Sequence, residues 1–200
     1  MSRRAGRRRE SDLRRRPARR EERRVYLVVC EGETEKGYFD SMRGHPEVRI
    51  HTVHVKRAKH PQRERVVRTA KEADRDDYTE VWAVFDTDGD DVTVLCDRAR
   101  GEGIETAPST PSFETWLLLH LTDRRAALMT GAKAEKALKA LLPGWSKGRT
   151  RFDDFAHGLQ DALDRAESLP PGKDPGTEVH RLVRALLRSR EDRSGGGGMS

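Results

Sequence analysis

Apolar positions along the chain fall into short runs separated by charged turns. Val25-Tyr26-Leu27-Val28-Val29-Cys30 is apolar throughout, as in a strand buried on both faces of a parallel sheet. Glu31-Gly32-Glu33-Thr34 interrupts it, and Tyr38, Phe39 and Met42 then recur at helical spacing, predicting a helix over 35–42 that ends near Gly44 and Pro46. Val48 to Val55 alternates as a second strand. Pro61 opens a polar helix reaching about Asp76, with Val66, Val67, Ala70 and Ala73 on one side. Val81-Trp82-Ala83-Val84-Phe85 reads as a third strand and runs directly into Asp86-Thr87-Asp88-Gly89-Asp90-Asp91. A helix over 92–100, a fourth strand over 103–107, a loop over 108–111 and a helix over 112–120 follow. Trp116, Leu117, Leu118 and Leu119 in that last helix are core candidates. Beyond Leu121 the pattern is helical, over 126–142, 152–169 and 177–190, with a Gly/Lys/Arg loop from Pro143 to Arg151 and no internal repeat.

The order βαβαβαβα specifies an α/β fold: a parallel sheet with helices on both faces and a helical C-terminal extension packed on the core. Right-handed crossovers bring every strand's C-terminal end to one edge, where open α/β sheets bind ligands. Both acidic turns, 31–35 and 86–91, belong to that edge. The expected segments are a basic tail (1–24), an α/β core (25–122), the extension (123–190) and a Gly-rich terminus (191–200).

Composition sharpens this outline. The chain has 200 residues, 34% hydrophobic and 37% charged, enough for one soluble domain with charged flanks. The net charge of +6 conceals an asymmetry, because residues 1–24 hold twelve arginines against four acidic residues, +8, which leaves −2 for residues 25–200. The basic tail can gather polyanions by counterion release, or be a leader with no specific role. Cys30 and Cys96 form neither a disulfide framework nor a zinc motif. No apolar run approaches a membrane span and no secretory segment is evident, so a cytoplasmic location is expected.

A carboxylate ending one buried strand and an Asp-x-Asp ending another offer oxygen ligands across a sheet edge, as hard divalent cations require. Glu31, Asp86 and Asp88 are the expected ligands for Mg2+ or Mn2+, with Asp90 and Glu33 near enough in sequence to assist. Such a cation could polarise a phosphodiester while a remaining carboxylate handles a proton. A duller reading makes these residues helix caps or first-turn charges. It suits Glu33 and Asp90 better than Asp86 with Asp88, whose crowded like charges are costly without a cation.

Val28-Val29-Cys30-Glu31-Gly32-Glu33-Thr34-Glu35 resembles the first motif of the Toprim fold, and Asp86-Thr87-Asp88 its Asp-x-Asp. More specifically, VCEGETEKGYF (29–39), EVWAVFDTDGD (80–90), PSFETWLLLH (111–120) and DPGTEVHRLV (174–183) resemble the RloB-like family, over about residues 25–187. The resemblance implies a Toprim-type nuclease acting in antiphage defence, commonly encoded beside an ATPase of the ABC or overcoming-lysogenization-defect type. By motif, Glu31 would handle a proton or metal, Asp86 and Asp88 would hold magnesium, and Glu114 would face the same edge as a further catalytic group. Cys30 departs from the Toprim pattern, leaving the choice between Glu31 and Glu33 open. Asp174 stands where asparagine is more usual in the family, a departure expected to touch only the C-terminal helix.

Lys56 and Arg57, with Lys59, after the second strand, and Lys147, Arg149 and Arg151 in the late loop, are candidate phosphate contacts. DNA and RNA, including tRNA, remain equally open as substrates, as do the number of metal ions and a homodimeric state. His51 and His54 are expected to be surface residues, since i and i+3 face opposite sides of a strand. Two rival functions differ in kind: a haloacid-dehalogenase-like phosphatase using Asp86 as nucleophile, and a non-catalytic nucleic-acid-binding or regulatory partner of an ATPase. An EF-hand is excluded, because glycine occupies loop position 4 and Asp97 the twelfth position.

Overall fold

A computed structural model describes residues 23–187 apart from 47, 50 and 124; most of the basic tail and the whole Gly-rich terminus lie outside the described residues. Four parallel strands, β1 (Val25–Cys30), β2 (Thr52–Arg57), β3 (Glu80–Asp86) and β4 (Glu105–Thr110), form a sheet in the order β2-β1-β3-β4. A two-residue antiparallel strand, β5 (Gly176–Thr177), extends it beyond β4 and has no counterpart in the expected topology. Two residues leave too little periodicity to read.

Strand alternation divides the core in two. Tyr26, Val28, Cys30, Trp82, Val84 and Ala107 face one layer, with α1 (Glu33–Met42), α4 (Glu114–Leu121), α5 (Gly131–Leu141), α6 (Leu159–Glu167) and α7 (Val179–Leu187). Leu27, Val29, Val81, Ala83 and Phe85 face the other, under α2 (Arg63–Lys71) and α3 (Thr93–Gly101). The chain travels one way along the sheet from β1 to β2 and the opposite way from β3 to β4. Crossovers of one hand therefore place α1 and α3 on opposite faces. The order reverses between β1 and β3, and at that switch point the two helices diverge and leave a crevice. The architecture is the expected α/β, Toprim-like one.

Several boundaries move for local reasons. The second strand begins at Thr52, because Val48 is buried within a turned segment in which its N–H donates to His45 O (3.0 Å). The fourth runs through Pro108 to Thr110. Pro108 lacks a donor, but β5 pairs only with Ser109 and Thr110, so no ladder bond is lost there. The expected helix over 126–142 starts only at Gly131, where the Thr130 hydroxyl caps it by accepting from Lys133 N (3.2 Å). The stretch 152–169 opens with two 3₁₀ turns before α6. His51 is buried, its ring edge-on to Tyr26 at 5.5 Å, which corrects the expectation of a surface residue; His54 is exposed. Asp174 reaches beyond the C-terminal helix: its carboxylate accepts from Leu128 N (2.8 Å) and Met129 N, a pair of acceptors that one asparagine oxygen would not duplicate.

α4 is buried all round, between the sheet and α5 and α6. His120 near its end accepts from the Tyr38 hydroxyl at Nε2 (3.2 Å), while Nδ1 donates to Phe155 O (2.8 Å). That arrangement needs a neutral ring, and burial lowers its pKa to about 4. Among the described residues no helix is long and apolar enough to cross a membrane, and Cys30 and Cys96 are buried free thiols.

Candidate functional site

Glu31 leaves β1 at the crevice, and its Oε2 accepts from Asp86 N on β3 (2.9 Å), so one carboxylate ties the two strand ends at the switch point. Asp86 follows Val84 in strand parity, pointing toward the layer that holds α1 and α4. Its Oδ1 accepts from Phe113 N (2.8 Å) at the start of α4, a position where backbone N–H groups favour negative charge. Two further carboxylates arrive from those helices. Glu35 is 4% exposed and its Oε1 accepts from Gly32 N (3.3 Å), as the third residue of a helix reaching back to its cap. Glu114 is 2% exposed, with Oε2 accepting from Ser112 Oγ (2.6 Å) and Oε1 3.2 Å from Lys147 Nζ.

Concentrating negative charge out of water makes protonation easier. Burial, then Glu114 and Glu31, raise the Glu35 pKa from 4.5 to about 7, against the hydrogen bonds from its own turn. Burial, then Glu35, Glu114 and Glu31, push Asp86 well above the usual carboxylate range. Glu31 is also raised, chiefly by burial and then by Asp88, opposing the bond from Asp86 N. Lys147 is a nearby cation: partial burial pulls its pKa down, but Glu114, Glu135 and Asp86 raise it overall.

The RloB-like protein family model matches residues 26–186. The chain belongs to the RloB-like family. No curated protein and no solved structure matches it.

The remaining candidate residues of this RloB-like chain separate into near and far. Asp88 and Gly89 take positive φ values of 53° and 88°, and Asp90 N donates to Thr87 O (2.9 Å), so the chain reverses in a tight turn of the primed kind. Alternation along β3 therefore stops at Asp86. Asp88 is exposed on the turn, close enough for its charge to act on Glu31. Asp90, expected to assist at a metal, is exposed and paired with Arg63, which also donates to Thr87 O (2.6 Å). Glu33 is exposed and paired with Arg57 at 3.1 Å, whereas Glu31 reaches into the crevice.

The late loop is held close to α1. Thr150 O would stand 2.5 Å from a Cβ at residue 37, so Gly37 is what lets the loop lie there. Trp145 Nε1 donates to Thr150 Oγ1 (3.0 Å), and the Thr150 hydroxyl donates to Lys147 O (3.1 Å). Of the three cations expected in that loop, Lys147 enters the acidic group, while Arg149 and Arg151 stay exposed. Lys56 and Arg57 end β2, one strand over from β1. Glu35 belongs to the acidic group although the motif reading omitted it. Its signal was the glutamate three residues after the Gly32 cap, which predicts a side chain folded back on the turn.

The donor set is all oxygen and anionic, as magnesium and manganese require, and the raised pKa values are what an added dication would relieve. Among the described residues, no three His, Cys, Asp or Glu side chains stand as a ready metal cage. Glu31 and Asp86 each commit one oxygen to a backbone N–H, and among the described residues the other has no hydrogen-bond partner. Magnesium commonly takes one or two carboxylates and fills its shell with water and phosphate, so the residues fit that class of ion.

Proposed function

We propose that this RloB-like chain is a magnesium- or manganese-dependent phosphodiesterase acting on DNA or RNA. The observation that carries the reading is the gathering of Glu31, Glu35, Asp86 and Glu114, from four elements, at the sheet's switch point with Lys147 beside them. Glu31 and Asp86, joined by Asp88, would hold the ion; when bound, it would polarise a phosphodiester and stabilise the departing oxygen.

The chain's own groups have separable tasks. The backbone N–H groups of Asp86 and Phe113 fix two carboxylates in place before substrate arrives. Glu35, with its pKa at about 7, can hold or accept a proton near neutrality. Glu114 and Glu135 hold the Lys147 ammonium at 3.2 and 3.5 Å, where it can meet a non-bridging phosphate oxygen. Arg149 and Arg151 are further phosphate contacts on the same loop. Family membership supports an antiphage role and an ATPase partner encoded nearby, both part of this proposal.

The test is cleavage of total tRNA and of plasmid DNA, with magnesium or with chelator, by wild type and by Glu31→Gln and Asp86→Asn. Magnesium-dependent cutting that both substitutions abolish is the expected result. Undiminished cutting by both, or hydrolysis of small phosphomonoesters alone, overturns the assignment. Absence of cutting with intact ATPase binding would favour the non-catalytic role.

A further inference from the structure

The same sheet edge carries a second charged feature, of opposite sign. Between β2 and α2 lies a cleft of about 560 Å³ whose lining includes Lys56, Arg57, Lys59, His60, Arg65 and Arg68, with Glu72 as its one carboxylate. On α2, Arg65, Arg68, Thr69 and Glu72 stand at i, i+3, i+4 and i+7, so they form one stripe, while Val66, Val67 and Ala70 turn into the core. Lys56, Lys59, Arg65 and Arg68 are all exposed, and among the described residues none has an acidic partner within 4.0 Å.

Chance does not readily explain this in a segment that sums to −2 over residues 25–200. Elsewhere Lys36, Arg43, Arg100, Lys139 and Arg165 pair with acids three or four residues away on their own helices. Here four cations without an acidic partner stand around one cleft, where their mutual repulsion is costly, and a polyanion would relieve it. Position adds direction. Arg57 stands opposite Cys30, and Ala58 N donates to Cys30 O (2.9 Å), so the cleft begins about 4.8 Å, one strand spacing, from the end of β1 where Glu31 follows.

We infer that the β2–α2 cleft is a track for the phosphate backbone of a nucleic-acid strand whose neighbouring phosphodiester lies at the acidic crevice. The inference rests on the phosphodiesterase reading for that second clause only. Phosphates approaching Glu31 and Asp86 are repelled, and cations one strand away offset that repulsion without entering the site. With no aromatic side chain in the lining except His60, contact would be to phosphate, with little base selectivity.

Binding of a short fluorescent single-stranded RNA, and of a DNA duplex of equal length, to the full chain in chelator at about 0.05 to 0.3 M salt tests this without cleavage. Each lost phosphate contact lowers the log–log salt slope by about 0.7 on a single strand and about 0.9 on a duplex. Arg65→Ala with Arg68→Ala should therefore remove about 1.4 or about 1.8 of slope, and weaken binding about tenfold at 0.1 M salt. Lys56→Ala with Lys59→Ala, on the opposite wall, should do the same, which guards against a defect confined to α2. Lys133→Ala with Lys136→Ala, an equal charge change on α5, should leave the slope as in wild type. The arm in which the loss reaches its full expected value, about 1.4 for the single strand or about 1.8 for the duplex, identifies the occupant.

Equal slopes for all three double variants overturn the track, as does a cleft-dependent loss seen only with phosphatidylserine vesicles. Slope loss in a protein that cuts nothing with magnesium would remove the phosphodiesterase reading and leave the track standing. Wild-type cutting with wild-type salt dependence in both cleft variants would do the reverse.

Discussion

The turns after β1 and β3 have nearly the same composition and divide their labour alike. In each, the first carboxylate (Glu31, Asp86) accepts a backbone N–H from a neighbouring element, while a later one (Glu33, Asp90) lies in solvent against an arginine. They differ in what the chain does next. After β1 it enters a helix within two residues, and the helical turn swings Glu35 back into the buried group. After β3 it first reverses through Asp88 and Gly89, which leaves Asp88 exposed beside Glu31 and carries Asp90 away to Arg63. Acidity is common to both turns; backbone path decides which acids are buried together.

The largest effect should come from the carboxylate most crowded by others. Asp86→Asn keeps an oxygen able to accept from Phe113 N but removes the charge facing Glu35, Glu114 and Glu31. We expect metal-dependent cleavage to fall more than about a hundredfold, measured as single-turnover rate. Because repulsion is also removed, the metal-free variant should melt later than wild type, by about 1 kcal/mol of added stability. Loss of activity accompanied by loss of stability would break the comparison, since it would make Asp86 structural.

Next in size is a pH effect assigned to Glu35. Its pKa is raised from 4.5 to about 7, so the folded state holds the proton more tightly than the unfolded state. The associated stability is fully present below pH 4.5 and is lost as pH rises through about 7, a change of up to about 3 kcal/mol. His120, lowered from 6.5 to about 4, acts in the opposite sense: its contribution is present above pH 6.5 and is lost as pH falls through about 4. Denaturant unfolding between pH 6.5 and 8 therefore follows the buried acidic group, Glu35 together with Asp86, against a smaller opposing rise from His120 and His180. The decline there should flatten in Glu35→Gln, and in wild type on adding magnesium. A wild-type curve already flat without metal would refute it.

Much of the edge was legible in the chain. Apolar runs ending in Glu31 and Asp86 located both strands and both turns, because residues buried on two faces cannot alternate with polar ones. The Asp88-Gly89 pair is an equally local signal for a reversal, which the Asp-x-Asp motif by itself does not convey. Glu114 and Lys147, thirty-three residues apart, meet only because Gly37 lets the late loop approach α1. Such a contact depends on packing among three elements and leaves no periodic trace. His51 was misplaced because its strand begins one residue later, at Thr52.

An intermediate effect concerns that loop. Lys147→Ala leaves Glu114, 2% exposed, with only Ser112 and no cation at 3.2 Å. Lys147 itself is 49% exposed, so screening reduces the loss, and about 1–2 kcal/mol of stability is expected from thermal unfolding. Adding Glu114→Gln should recover most of it, giving a double-mutant coupling near 1 kcal/mol. Strictly additive losses would mean the two residues act independently.

The smallest effects belong to the exposed partners, where the comparison is most easily broken. Glu33 and Asp90 are 55% and 64% exposed, and each faces an arginine across solvent. Pairs of that kind contribute little, so Glu33→Gln and Asp90→Asn should each change stability by less than about 0.5 kcal/mol. Cleavage should stay within about threefold of wild type. Asp90 is the stricter case: it shares Arg63 with Thr87 O, and Arg63 retains that carbonyl when the carboxylate becomes an amide. The turn therefore keeps its anchor, and any large loss of activity would have to come from the lost charge itself. If Asp90→Asn disables cleavage as thoroughly as Asp86→Asn, the carboxylate of Asp90 reaches the reacting phosphate after all, and its pairing with Arg63 is no guide to whether it does the chemistry.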